Sequence, residues 1–154
     1  VERLVQRCGV EVAAPDEIYD VECDIFAPCA LGGILNDDTI PRLRCRIVAG
    51  SANNQLAEPR HADMLHQRGI LYAPDYVINA GGLIQVADEL QGYNQDRAYR
   101  KAAAIADALR RIFRLSAERG ITPVAAADEL VRERLERLGS LKRFHLTTRQ
   151  EGGR

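Results

Sequence analysis

Three short apolar runs, Cys23–Ala27, Cys45–Ala49 and Ile70–Ala73, each lead into a loop and then into a helical pattern, and the first two loops consist largely of small and amide residues. That repeated strand–loop–helix order constrains the fold more than any other feature of the chain. Strands joined through helices run parallel, and a parallel sheet needs helices on its faces to bury it. The expected class is therefore α/β, a mostly parallel sheet with helices on both faces. In such sheets a ligand binds beyond the carboxyl ends of the strands. The three loops at that edge are Pro28-Cys29-Ala30-Leu31-Gly32-Gly33, Gly50-Ser51-Ala52-Asn53-Asn54-Gln55 and Pro74-Asp75-Tyr76-Val77-Ile78. Small residues let a ligand meet the backbone, and asparagines add uncharged donors and acceptors.

The helices have legible ends. Residues 1–8 read as a helix stopped by Gly9, with a short strand expected over Val10–Val12. The first unit carries a short helix near Asp38–Leu43, with Pro41 in its first turn. The second carries Pro59–Arg68, with Pro59 at the first helical position and Gly69 as the cap. The third is Asn79–Leu90. A long helix over Gln95–Arg119 shows an apolar stripe of Ala102, Ile105, Leu109, Ile112 and Phe113, and ends at Gly120. The last helix starts with Thr122 as N-cap and Pro123 at N1. Its expected buried stripe is Ala127, Val131, Leu135 and Leu138, with Gly139 as its stop. The polar tail that follows reads as frayed.

Composition narrows the partners. The formal net charge is −1, with 46% hydrophobic and 28% charged residues among 154. That argues against general attraction to nucleic acid or to an acidic membrane surface. No apolar run reaches the roughly 18–20 residues of a membrane span. Cys8, Cys23, Cys29 and Cys45 lack CxxC spacing. They read as reduced, mostly buried thiols of a cytoplasmic protein, and neither zinc nor a disulfide is expected. His61 and His66 lie five apart on a helix, a poor geometry for sharing a metal.

The stretch Asn79-Ala80-Gly81-Gly82-Leu83-Ile84-Gln85-Val86 carries the sharpest site signal. Asn79 serves as a helix N-cap or as a hydrogen-bonding group for a ligand, and the two roles are compatible. Glycines inside a helix cost roughly 1 kcal/mol each against alanine, so Gly81 and Gly82 imply close packing or ligand approach. Asn53 and Asn54 are turn residues or ligand contacts. Asp88 and Glu89 are expected to pair with Arg or Lys rather than to act as acid and base. Cys29 has no base beside it in sequence and reads as a neutral packed thiol.

Ala27-Pro28-Cys29-Ala30-Leu31-Gly32, Ala49-Gly50-Ser51-Ala52-Asn53-Asn54-Gln55-Leu56 and Tyr72-Ala73-Pro74-Asp75-Tyr76-Val77-Ile78-Asn79-Ala80-Gly81-Gly82 resemble the leucine, phenylalanine and valine dehydrogenase branch of the amino-acid dehydrogenases, over about residues 1–140. The resemblance implies reversible NAD-dependent oxidative deamination of an apolar L-amino acid to a 2-oxo acid and ammonia, in a homo-oligomer. It implies the second half of a Rossmann-like cofactor domain over 1–92, C-terminal helices packing on it over 93–140, and a tail over 141–154. It places Cys29, Ala30, Ala52, Asn53 and Asn79 against the cofactor. It places Asn53, Asn54, Gly82, Leu83 and Val86 against the substrate. The family's catalytic lysine and aspartate, and its glycine-rich phosphate loop, are expected to precede Val1. No lysine occurs here before Lys101, so a polypeptide limited to these residues is expected to be inactive. A non-catalytic binding or oligomerisation module of the same ancestry is the alternative. A relative acting on glutamate is disfavoured, because Leu83 and Val86 offer a charged side chain no partner.

Overall fold

The three apolar runs pair as a parallel sheet in the order β1 (Ile25–Phe26), β2 (Ile47–Val48) and β3 (Leu71–Tyr72). This is a computed structural model, and it describes residues 2–142, with side chains as far as 139. The register aligns Ile25 with Ile47 and Leu71, and Phe26 with Val48 and Tyr72. Ladder bonds extend past the strand cores: Ala49 N donates to Phe26 O at 3.0 Å, and Ala73 N to Val48 O at 2.9 Å. The helices are α1 (Glu2–Cys8), α2 (His61–Gln67), α3 (Asp75–Ile78), α4 (Gly81–Glu89), α5 (Gln95–Arg119) and α6 (Pro123–Lys142).

The two sheet faces meet different helices, and the face that carries Ile25 is only partly covered. Val48 and Tyr72 are buried on one face with Leu65 of α2 and with Leu35, Ile40, Leu43 and Ile70. Each large aliphatic side chain buried this fully contributes about 1.5–3 kcal/mol. On the other face Leu71 shares a hollow with Phe113 and Ser116 of α5. A second, smaller cluster joins Ile112 of α5 to Ala126 and Ala127 of α6. The α5–α6 corner follows its sequence signals. Gly120 adopts φ 64°, Thr122 Oγ1 accepts from Ala125 N at 3.1 Å, and the buried Ser116 hydroxyl donates to Ile121 O at 2.6 Å.

Several expectations are corrected. Residues 10–12 form no strand; Val10 and Val12 are exposed and have no ladder partner among the described residues. The helix expected at Asp38–Leu43 is a 3₁₀ turn over Ile40–Arg42. There Asn36 Oδ1 accepts from both Asp38 N and Thr39 N at 3.0 Å, tightening the chain before Pro41. Pro59 lies in the turn before α2, which begins at His61. Gly139 does not stop α6, which runs on to Lys142 and so includes the first two positions of the expected tail; residues 143–154 lie outside those described. Val131, Leu135 and Leu138 are exposed, not buried, because the contact of α6 with the α5 cluster is made by its first turns. The cysteines are not mostly buried either: Cys8 and Cys29 are exposed, and Cys23 and Cys45 are half-buried.

One glycine fixes how the first two loops meet. A Cβ on the buried Gly50 would overlap the backbone nitrogen and oxygen of Pro28. Backbone cannot yield as a flexible side chain can, so Gly50→Ala is expected to cost about 1–3 kcal/mol or more. Urea denaturation should show a lowered midpoint, whereas a change within error would mean that the loops separate freely.

Candidate functional site

The loops at the carboxyl ends of the strands are bonded to one another. Ala52 N donates to Pro28 O at 2.9 Å, Gly33 N to Asn54 O at 2.7 Å, and Leu35 N to Gln55 O at 2.9 Å. Gly32 permits this approach, since a Cβ there would stand 2.8 Å from Asn53 O and 2.9 Å from Asn54 O. Asn54 takes φ 51°, a left-handed turn that asparagine tolerates better than most residues.

Two buried polar residues brace the edge from beneath. The Gln55 side chain is fully buried, and its Nε2 donates to Gly50 O and Ala52 O, both at 2.9 Å. The Gln55 backbone N donates to Asp75 Oδ2 at 3.0 Å, while Asp75 Oδ1 accepts from Tyr76 N at 2.8 Å. Asp75, at the start of α3, thus fastens the third loop to the second. Each oxygen of this buried side chain therefore has a backbone donor, as buried polar atoms require. Neither brace was singled out from the sequence. The Pro74-Asp75 pair signals a helix start, and nothing local shows that Asp75 reaches the loop after β2.

Above the braces lie the residues expected to bind. Asn79 is not the N-cap of one continuous helix. The chain forms α3, then Asn79 and Ala80, then α4, with Ala80 in the cap position. That break turns the half-buried Asn79 towards the second loop. Its Nδ2 donates to Asn53 Oδ1 at 2.5 Å and lies 3.5 Å from Ala52 O. A carbonyl oxygen only accepts, so Ala52 fixes which end of the Asn79 amide faces the loop. Asn53 must then present its oxygen to Asn79, which leaves its NH2 group available to an acceptor outside the protein. Ala52 is buried, while Asn53 and Asn54 are exposed.

Cys29 and Ala30 are exposed on the first loop. The Cys29 thiol faces Ser51, and hydrogen bonds from the Ser51 side chain and backbone hold its pKa below the ordinary thiol value. It is not the packed thiol expected. Burial pushes Cys45 the other way. Gly82, Leu83 and Val86 lie on α4 and are exposed, and a Cβ at Gly81 or Gly82 would meet nothing within 4 Å. Close packing among the described residues therefore does not account for this glycine pair. The structure joins Ala52, Asn53 and Asn79 by direct bonds. Gly82, Leu83 and Val86 follow on the next helix without bonding to that group.

Asp88 pairs as expected. Its fully buried carboxylate accepts from Arg97 Nε at 2.5 Å, Arg97 Nη2 at 3.0 Å and Asn94 N at 2.8 Å, with Lys101 Nζ at 3.5 Å. Arg97 and these hydrogen bonds hold its pKa at about 2. Such a group contributes stability above the ordinary carboxylate range and loses it as pH falls towards 2. Among the described residues no cluster of three His, Cys, Asp or Glu could hold a metal, and no helix is long and apolar enough to cross a membrane.

Comparison with known proteins places this architecture. The family model for Glutamate/Leucine/Phenylalanine/Valine dehydrogenase matches residues 1–140. The leucine dehydrogenase of Thermoactinomyces intermedius is 59% identical over 135 residues, covering 88% of this chain and 37% of that protein. The phenylalanine dehydrogenase of the same organism is 49% identical over 147 residues, covering 94% and 40%. Among solved structures, L-tryptophan dehydrogenase from Nostoc punctiforme superposes with a TM-score of 0.86 at 49% identity, covering 88% of this chain and 42% of that one. The hetero-hexameric glutamate dehydrogenase of Thermus thermophilus shares the fold, with a TM-score of 0.68 at 22% identity. The chain belongs to the Glu/Leu/Phe/Val dehydrogenase family of amino-acid dehydrogenases. It spans 37–40% of the length of the two curated relatives named above.

The thiol chemistry at this edge is directly measurable. Under limiting iodoacetamide near neutral pH, Cys29 is expected to be alkylated ahead of Cys45, read by peptide mass mapping, because the thiolate is the reactive form. Ser51→Ala should slow Cys29 specifically. Equal rates at Cys29 and Cys45 would mean that the Ser51 contact does not tune the thiol.

Proposed function

We propose that this chain supplies the nicotinamide-facing and substrate-side-chain half of the active cleft in an NAD-dependent dehydrogenase acting on the CH–NH2 group of apolar L-amino acids. The observation that carries this reading is the Asn79–Asn53 hydrogen bond at the carboxyl edge of a parallel sheet. It gives Asn53 a fixed donor face, suited to the carbonyl of a carboxamide or to a carboxylate. The donors gathered there are neutral amides, on loops whose glycines and alanines leave the backbone accessible. That set fits a nicotinamide ring and its carboxamide. NAD, when bound, would accept the hydride from the amino acid's α-carbon. Cys29, Ala30, Ala52 and Asn79 would form the surface beneath it, while Asn53 and Asn54 orient the substrate against it. A hydride transfer depends steeply on alignment, which is what a pre-set amide provides.

Side-chain preference is assigned to α4. Gly82 lets the helix backbone approach the substrate, and Leu83 and Val86, three apart on one face, wall the pocket. The helix, Gly81–Glu89, carries no basic residue, which supports an apolar substrate over glutamate. The protein acts in the cytoplasm and assembles as a homo-oligomer on this reading.

In the complete enzyme, Asn53→Ala is expected to lower kcat/KM about 5- to 150-fold, the loss of one orienting bond worth about 1–3 kcal/mol. Circular dichroism and Tm should stay near those of the unsubstituted protein. Unchanged kinetics at saturating NAD would reduce Asn53 to a turn residue. Leu83→Ala is expected to shift the ratio of kcat/KM for L-phenylalanine over L-leucine by about tenfold, since one to a few methylenes of pocket space are worth roughly 1–3 kcal/mol. A flat ratio with lowered stability would make Leu83 a packing residue and remove the pocket assignment.

A further inference from the structure

Helix α4 is held in an unusual way for the element that carries the proposed pocket wall. Its one buried residue is Asp88. Gly81 and Ile84 are half-buried, and every other position from Gly82 to Glu89 is exposed. An amphipathic helix normally docks through an apolar stripe. Here the fixed point is a carboxylate. Asp88 Oδ1 takes Arg97 Nε at 2.5 Å, and Oδ2 takes Arg97 Nη2 at 3.0 Å and Asn94 N at 2.8 Å. Arg97 Nη2 also donates to Gly92 O at 2.7 Å, and Asn94 Oδ1 caps α5 through Arg97 N at 2.8 Å. The end of α4, the turn at Gly92 and the first turn of α5 are thereby closed into one network.

We infer that the Asp88–Arg97–Asn94 clasp is the positioning device for the substrate-selecting face of α4, so that Asp88 governs substrate binding without touching substrate. The geometry supports this in two ways. A two-pronged guanidinium–carboxylate pair fixes angle as well as distance, because both donors lie in one rigid plane. And Asp88 lies two residues beyond Val86 and five beyond Leu83, so a small tilt at the clasp is delivered to those side chains within two turns. The carboxylate is held far below its ordinary pKa and stays charged through the working range of an enzyme. The inference rests on the reading of Leu83 and Val86 as pocket wall, and the test keeps the two apart.

The test compares Asp88→Asn and Arg97→Lys with the unsubstituted protein in the complete enzyme. Asparagine matches aspartate in size but sets an NH2 against one of the donors; lysine keeps the charge and loses the fork. Two measurements are made on each: amide hydrogen exchange over residues 81–89, and separate KM values for amino acid and for NAD. The expected result is exchange at least tenfold faster, confined to α4 and the 90–94 turn. The amino-acid KM should rise about tenfold and the NAD KM stay within twofold, with Arg97→Lys intermediate. A merely structural role predicts faster exchange spread through the sheet and both KM values rising together, and that outcome overturns the inference. Unchanged α4 exchange overturns it as well, whatever the kinetics. If α4 loosens but the amino-acid KM is flat, the inference fails, and Leu83→Ala decides the rest. A shifted phenylalanine-to-leucine ratio there leaves the pocket reading standing, and a flat one removes it too. Should Asp88→Asn fail to fold, Arg97→Lys carries the same pair of measurements.

Discussion

The site depends on the brace beneath the loops, where Asp75, Gln55 and the carbonyls of Gly50 and Ala52 close a buried polar circuit. Loops at a sheet edge are ordinarily the softest part of an α/β fold. Here the loop after β2 cannot move without unmaking bonds that have no water to replace them. Leaving a buried donor or acceptor unpaired costs roughly 1–3 kcal/mol, more than the bond itself contributes. The circuit therefore acts chiefly as a penalty on other loop conformations. Gly50 and Gly32 add a steric counterpart, since each removes a side chain from a place already filled by backbone.

Rigid loops make an amide pair meaningful. An isolated surface asparagine can rotate its amide at little cost. Asn79 is half-buried and lies against Ala52 O, whose own loop is held by Gln55. The order of dependence runs from the buried brace to Ala52, from Ala52 to Asn79, and from Asn79 to the outward face of Asn53. The steps from Ala52 outward use neutral groups, so that part of the arrangement is insensitive to ionic strength, unlike surface ion pairs such as Arg46–Asp24.

The sheet, its three strands and the loops were legible in the sequence because apolar runs and glycine punctuation are local signals. So were α5 and the corner into α6, where Gly120 and Thr122 announce their roles by type and place. What stayed hidden was contact across sequence distance. Gln55 looked like one more polar loop residue, and its burial follows from how the loops after β2 and β3 fold over each other. Asn79 read as a cap, a ligand-binding group or both, because asparagine before a helical pattern is commonly a cap. The break at Asn79 and Ala80 redirected it, and no periodicity marks that break. The stripe of α6 was visible as apolar, but periodicity reports which side of a helix is greasy and not what lies opposite. Val131, Leu135 and Leu138 show the difference. The partner of Asp88 was foreseen by charge type, though not that Asn94 would join it.

The exposed face of α4 has a consequence for how such proteins diversify. Leu83, at 74% exposure, and Val86, at 58%, give almost nothing to the core, because their helix is anchored by Asp88 instead. Substitutions at positions of this kind typically change stability by no more than about 0.5 kcal/mol. Most pockets are cut into the packed interior, where altering the lining disturbs the fold and each new preference must be compensated elsewhere. A charged anchor separates the two tasks. On the proposed reading, the wall that meets the substrate is free to drift while the scaffold stays intact. That separation accommodates the 49–59% identity of this chain to relatives named for leucine, phenylalanine and tryptophan.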